Sequence, residues 1–427
     1  MTAVSSPSGA SATRQKIKRM KLDIKLPPIS HEMRLLLMCC RPTGIDADKE
    51  ALEVLLQRAI DWDMFIYLVH RHRLPAIVYF NLSKLDNLAF PEKILQQLHA
   101  HHVRNARRAM WLAAKLAVLL RLFEGEGISV LPLKGPVLAL QVFGDVVLRH
   151  AGDLDLLVSP GNVKRATKLL SQAGFRSEYP VTNMSPRQHR TFMNIRCHSM
   201  HHHRHSGLMV ELHWNWFHNS YLFPLHVSKV WKQAQNVTIG REPTPAMGIE
   251  HTLLYICCHG AKHAWYRLFW LCDVAQLMQK AHAINWARLL ATAVNLGVQR
   301  VLAQGIILSN LLFGGPVPEP VRTFAERDPA VAELVNFNLQ VIMQHRIHWL
   351  PRSLKDHILK QQYDFKLRPD FRYKLLGCLG GIPTSPNDWS IINLPDKFFI
   401  LYYIFRPFIR LRRLWYNDGY KNVHRAA

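Results

Sequence analysis

The stretch Gly152-Asp153-Leu154-Asp155-Leu156-Leu157-Val158 constrains this chain more than any other part of it. Side chains alternate along a strand, so two aspartates separated by one residue face the same way. The apolar run behind them sets both acids at the end of a buried strand. There, like charges repel and the loss of water raises the cost of each charge. A divalent cation, Mg2+ (or Mn2+), relieves that repulsion. The fold must therefore carry an acid-bearing strand into a core and bring anion-tolerant chemistry to its mouth.

The neighbouring sequence supplies parts that suit such a strand. Ile128 to Leu133 reads as a short buried strand, and Lys134-Gly135-Pro136 follows as a glycine turn into a helix running to Phe143. That arrangement lets backbone amides and a helix N-terminus approach phosphate. Leu154 to Val158 is the acid-bearing strand, Ser159-Pro160 opens a helix, and Gly174 ends it. Thr191 to His198 and Leu208 to Trp214 read as two strands of a hairpin across a loop at Met200 to Gly207. In Val210-Glu211-Leu212-His213-Trp214 the alternation puts Glu211 and His213 on one face. Glu211 is thus a candidate third carboxylate for a site of the kind that holds two metals ~3.5–4 Å apart for in-line phosphoryl displacement. Strand, helix, strand, helix and hairpin make a compact α+β unit.

Taken in this order, Lys134-Gly135, Arg149, Gly152 to Val158 and Glu211-Leu212-His213-Trp214 resemble the uncharacterised bacterial nucleotidyltransferase family of the polymerase-beta-like superfamily, over roughly Ile128 to Asp273. The resemblance implies an α+β fold: a small mixed-sheet nucleotidyltransferase domain flanked by N- and C-terminal helical regions. It implies that Asp153, Asp155 and Glu211 are metal ligands and that Gly135 lies in the nucleotide-phosphate turn. The wider superfamily has Gly-Ser in that turn, whereas Pro136 here offers neither an N–H nor a hydroxyl. Phosphate binding then falls to other amides, with Lys134 as a point charge and Arg149 as a fork.

A second polar face is expected on Ile256 to Met278. At 100° per residue, His259, Lys262, His263, Tyr266, Trp270 and Asp273 fall on one side of a helix, opposite Cys257, Gly260, Ala264, Leu268 and Leu271. Lys262 and His263 are read as nucleotide-binding. Asp273 is a candidate general base for an acceptor hydroxyl; its bland counterpart is a surface carboxylate paired with Lys262 or Arg267. The run Met200-His201-His202-His203-Arg204-His205 lacks zinc-motif spacing and reads as a solvated loop.

Along the chain the expected division is a basic disordered tail at 1–30, a helical region at 31–126, the α+β domain at 127–244, a helical domain at 245–350 and an irregular basic C-terminal region at 351–427. Lys+Arg 54 against Asp+Glu 30 gives a net charge of +24, which calls for an anionic partner without choosing among nucleic acid, lipid headgroups and phosphorylated small molecules. Seven cysteines without a Cys-x-x-Cys pair fit a reducing cytoplasm rather than a disulfide framework. No stretch approaches the ~18 apolar residues of a membrane span. Phe398 to Trp415 joins bulky apolar residues to arginines and suits peripheral contact with an anionic membrane as well as a core helix with a solvated end. The functional expectation is metal-dependent transfer of a nucleotidyl group from an NTP to an unidentified acceptor, a small molecule, protein or RNA. The competing expectations are a catalytically degenerate nucleotide-binding scaffold and an RNA-modifying or RNA-binding protein.

Overall fold

A computed structural model describes residues 20–42, 49–85, 90–179, 184–344, 353–379, 386–389, 391–392, 394–406 and 408. It is an α+β chain with far more helix than strand, as the sequence predicts. The N-terminal helices are α1 (His31–Cys39), α2 (Lys49–Leu56), α3 (Trp62–Arg71), α4 (Pro75–Leu82) and the long α5 (Glu92–Gly125). Their starts are chemically marked: Ser30 and Asp61 accept from the backbone N–H of Met33 and Met64, and Pro75 stands at the first turn of α4.

Next come β1 (Leu131–Pro132), α6 (Gly135–Phe143), β2 (Leu154–Leu157), α7 (Val163–Gln172), β3 (Phe175–Ser177), α8 (Pro186–Ile195), β4 (His198–His203) and β5 (Met209–His213). The expected strand from Thr191 to His198 is instead the end of α8. Ser185 and Gln188 form a capping box with Pro186 in the first turn, and that local chemistry starts a helix. Met200 to His203 consequently lie on β4, with Arg204 and His205 in the turn that follows: His201 is buried, and its Nε2 lies 2.9 Å from Ser199 Oγ.

After α9 (Val227–Lys232) the hairpin β6 (Gln235–Ile239) and β7 (Glu242–Ala246) was not anticipated from the sequence, because Pro243 and Pro245 argue against a strand. In a two-stranded ribbon each strand is an edge, so a proline there need not break a ladder. The rest is helical: α10 (Ile249–Lys262), α11 (Leu268–Met278), α12 (Trp286–Leu296), α13 (Gln299–Phe313), α14 (Glu319–Arg327), α15 (Pro329–Met343), α16 (Leu354–Leu367), α17 (Phe371–Leu379) and α18 (Pro386–Trp389).

The chain divides into two units, each drawn from three stretches. One holds the described residues of Met1–Leu122, Leu131–Leu154 and Leu222–Phe371, and the other those of Phe123–Val130, Asp155–Tyr221 and Arg372–Ala427. In the first unit α13 is the central helix, buried from Val301 to Phe313, with α10, α11 and α15 packed on it. A helix apolar all round belongs in a core. Among its buried polar groups Gln304 is held by Asn338 and by Tyr363 Oη at 3.0 Å, and Tyr363 donates onward to the Ala261 carbonyl.

The single helix expected over Ile256 to Met278 is two helices. The chain breaks between Lys262 and Leu268, where Ala264 and Trp265 take φ of 49° and 52°, the left-handed region that β-carbon-bearing residues occupy at a cost. What compensates is the Trp265 indole, fully buried against the bare backbones of Gly260 and Gly305. A Cβ at Gly260 would overlap its six-membered ring.

In the second unit β5 lies between β2 and β4, and β3 pairs with the far edge of β4. The antiparallel register His198↔His213, Met200↔Glu211 and His202↔Met209 puts His198, Glu211 and His213 on one face. Val210 and Leu212 face the core on the other. In the C-terminal segment Phe399 and Tyr402 are buried while Phe398, Ile400, Ile404 and Phe405 are exposed. The basic residues expected to follow them, Arg410 to Arg413, lie outside the described residues.

Replacing Gly260 with alanine is expected to destabilise the protein by about 1–3 kcal/mol through overpacking against Trp265. Denaturant midpoints of the variant and the parent measure it, and an unchanged midpoint would show that the indole has room to move.

Candidate functional site

Two clusters of reactive side chains stand out, one in each unit. In the second unit Asp155 comes from β2 and Glu211 and His213 from β5, with His198 opposite His213 on β4. His213 Nε2 lies 3.2 Å from Asp155 Oδ1 and 3.1 Å from Glu211 Oε2. One N–H therefore serves two carboxylates on different strands. His198 Nε2 is 3.9 Å from Glu211 Oε2. Behind them Cys197 Sγ is 3.3 Å from His198 Nδ1 and 3.7 Å from His218 Nδ1.

The electrostatics follow from burial and partners. Burial disfavours a charge on His213, but its bonds to Asp155, Cys197 and Glu211 outweigh that and hold its pKa well above the ordinary histidine value. Burial pushes the Glu211 carboxyl up; the bond from His213 pulls it further down, to a net lowering. Burial likewise raises the Cys197 thiol, and its contacts with His198, His213 and His218 reverse this to well below the usual range.

Mg2+ or Mn2+ is the cation that the sequence implies, and the donor set tests it. Asp155 and Glu211 provide the carboxylate oxygens a hard cation requires, so both ions fit. The imidazoles of His198 and His213 beside Glu211 add nitrogen donors, which suit Mn2+ better than Mg2+.

In the first unit Asp153 occupies the bend just before β2. Gly135, with φ of 65°, packs against it: a Cβ there would sit 3.5 Å from the Asp153 carbonyl oxygen. The predicted phosphate turn and Asp153 are thus brought together, and Lys134 is the N-cap residue of α6. His263 is half-buried, and the fields of Lys262, Lys134, Lys360 and Arg267 converge on it. Burial first, and those cations second, lower its pKa to about 3. Its ring stacks on Trp270 at 5.2 Å and 16°. Lys134, Lys262 and His263, expected to act together, are therefore neighbours even though the helix carrying two of them is broken.

Arg149 and Asp273 have a different arrangement from the expected one. Arg149 Nε lies 3.0 Å and 3.1 Å from the two Asp273 oxygens, and Nη2 lies 3.0 Å from Oδ2. Both are buried, at 6% and 1% side-chain exposure. The fork expected to grip triphosphate closes on Asp273, and Asp273 pairs with neither Lys262 nor Arg267. Burial pushes the Asp273 carboxyl up and Arg149 pulls part of that back.

Sequence reasoning passed over Cys197, His198 and His218. The visible signal was the density of ligand-type residues in Cys197-His198 and Glu211 to His218, on either side of the histidine run that drew attention. Also unforeseen is a cleft of about 360 Å3 in the first unit, lined by Arg73, Arg104, Arg108, His70, His101 and His150. Burial and the neighbouring cations lower the pKa values of His101 and His150 to about 4, so both rings are neutral at pH 7.

A family model described as an uncharacterised nucleotidyltransferase matches residues 58–314, more than half of the chain. It reaches further toward the N-terminus than the motifs do, taking in α3 to α5. No curated protein and no solved structure matches the chain.

Two measurements test these environments. Breaking the buried pair by Asp273→Asn or Arg149→Met should cost about 3–5 kcal/mol in unfolding free energy, because each leaves an uncompensated buried group. A loss below 1 kcal/mol, on the order expected of an exposed pair, would show that the pair is solvated in practice. His263 has a folded pKa below its unfolded value of ~6.5, so the unfolded state takes up the proton first and stability falls as pH drops from ~6.5 toward 3. In His263→Gln that part of the acid dependence should disappear from denaturation midpoints; an unchanged slope would contradict it.

Proposed function

The chain belongs to the family of uncharacterised nucleotidyltransferases, and from that premise we propose that it transfers a nucleotidyl group from an NTP, such as ATP, to an acceptor, with Asp153, Asp155 and Glu211 as ligands of Mg2+ or Mn2+. The observation that carries this reading is the meeting of Asp155 and Glu211, from separate strands, on the single Nε2 of His213. Two carboxylates drawn together on a buried sheet face are costly unless a cation is part of the working state. When bound, that cation supplies charge neutralisation at the transferred phosphoryl group and orients its oxygens for in-line displacement.

The chain's own groups have separate tasks in this reading. His213 fixes the directions of both carboxylates before any substrate arrives. One of the aspartates accepts the proton of the acceptor hydroxyl. Lys134 and Lys262 are point charges for the outgoing phosphates, and Gly135 allows its backbone to come close to them. Arg149 and Asp273 act as a positioning pair: each holds the other, and neither touches substrate. The cleft lined by Arg73, Arg104 and Arg108 is where an anionic part of the acceptor has charge to meet.

Membership of the polymerase-beta-like superfamily and a cytoplasmic setting belong to the same proposal. The described cysteines form no disulfide, and no described helix is long and apolar enough to cross a membrane. The exposed Phe398, Ile400, Ile404 and Phe405 also make peripheral contact with anionic lipid part of the proposal. Sedimentation with anionic but not neutral vesicles supports that contact, and no sedimentation at low salt removes it.

Asp153→Asn and Asp155→Asn should each abolish metal-dependent turnover of NTP, Asp153→Asn with a thermal midpoint near that of the parent and Asp155→Asn with a lowered one, since it alters the buried pair with His213. Glu211→Gln should lower kcat more than it weakens NTP binding. Wild-type turnover in either aspartate variant contradicts the ligand assignment, and full activity in Glu211→Gln moves the third ligand elsewhere.

A further inference from the structure

We propose that Cys197, His198, His213 and His218 form a zinc-type transition-metal site in the second unit, separate from the carboxylate centre and joined to it through His213. The geometry is that of a ligand set. A tetrahedral site with Zn–S of ~2.3 Å and Zn–N of ~2.0–2.1 Å places sulfur and nitrogen about 3.6 Å apart. Cys197 Sγ stands 3.3 Å from His198 Nδ1 and 3.7 Å from His218 Nδ1, on either side of that value. These three donor atoms all lie within 4.8 Å of one another.

The hydrogen-bond pattern points the same way. One sulfur faces a ring nitrogen of each of two histidines, and a thiolate, the form that ligates metal, meets both. A third ring, that of His213, also interacts with Cys197. His213 is 4% exposed, and its Nδ1 is a buried atom without a well-formed hydrogen bond. The ring sits beside His198, with centroids 4.8 Å apart. Such a buried nitrogen is costly unless a ligand meets it.

Nε2 of His213 faces only acceptors, Asp155 Oδ1 and Glu211 Oε2. With a metal at Nδ1 the ring keeps its one proton on Nε2, facing those carboxylates. A histidine that gives one N–H to a carboxylate and turns its other nitrogen to a metal is the usual pattern around protein-bound zinc. A thiolate with three imidazoles is a soft, nitrogen-rich set that prefers Zn2+ to Mg2+. Cys197, His198 and His218 are the close set, and His213 as a fourth donor would close the coordination shell and make this an anchoring site that fixes His213 and, through it, the positions of Asp155 and Glu211. The site stands whether or not the protein turns over nucleotides.

The test uses the full chain stripped of metal by chelator and titrated with Co2+, a spectroscopic substitute for Zn2+. The expected result is saturation at a single equivalent, with intense tetrahedral bands in the visible and a thiolate-to-cobalt charge-transfer band in the near ultraviolet, all displaced by Zn2+. Cys197→Ser should lose the charge-transfer band. Cys378→Ser, which removes the exposed thiol, should keep it. His218 is on the surface, so His218→Ala should fold and bind Co2+ at least about tenfold more weakly. Should Cys197→Ser fail to fold, His218→Ala decides. A wild-type spectrum with no charge-transfer band, a spectrum unchanged by Cys197→Ser, or undiminished affinity in His218→Ala overturns the site.

Discussion

One imidazole, that of His213, is buried between two carboxylates, and the reactive face of the second unit is arranged around that placement. Without a donor between them, Asp155 and Glu211 would repel in surroundings where water screens little. With it, both are oriented, and the bond from His213 helps to hold the Glu211 carboxyl below its ordinary range. Buried polar networks reward full satisfaction and penalise anything less. That is why the Nδ1 of the same ring carries weight: Nε2 is satisfied twice, whereas Nδ1 has no well-formed hydrogen bond and the ring lies beside Cys197 and His198.

The first unit solves a different problem. Its cations, Lys134, Lys262, Lys360 and Arg267, converge on a region near His263, where like charges repel although Asp364 pairs with Lys360. Rigid neighbours make that tolerable. Trp265 pins the break between α10 and α11 against Gly260 and Gly305, and the bidentate Arg149–Asp273 pair holds α11 to the segment leading into β2. The left-handed backbone at Ala264 and Trp265 is strain held by packing, and it turns Tyr266 and Trp270 toward His263. A helix running straight through this point would have kept the polar stripe but not the cluster.

Residue patterns with strong local chemistry were legible in the sequence. Strand β2 with Asp155, the Lys134-Gly135 turn into α6, the end of α7 at Gly174 and the shared face of Glu211 and His213 all follow from alternation, glycine conformation and capping. What stayed hidden depended on distant partners. Nothing in the spacing of Arg149 and Asp273 pairs them, since 6% and 1% exposure is a property of the folded core. The break at residues 263–267 came from a tryptophan finding two glycines, one of them in α13. Cys197 and His218 meet only because β4 and β5 pair in a particular register, and a one-residue slip would separate them. Ser185-Pro186 with Gln188 was a readable helix start, overshadowed by the β-prone look of Thr191 to His198.

The nucleotidyl-transfer reading is tested most directly by following both ends of the NTP. In the presence of Mn2+ and a cell extract as acceptor source, the protein is given NTP labelled at the α-phosphate, and pyrophosphate is measured alongside the label. Nucleotidyl transfer predicts that label enters a larger product in step with pyrophosphate release, and that both cease in Asp155→Asn. Release of orthophosphate alone, or label that stays in free nucleotide while pyrophosphate is absent, would contradict it.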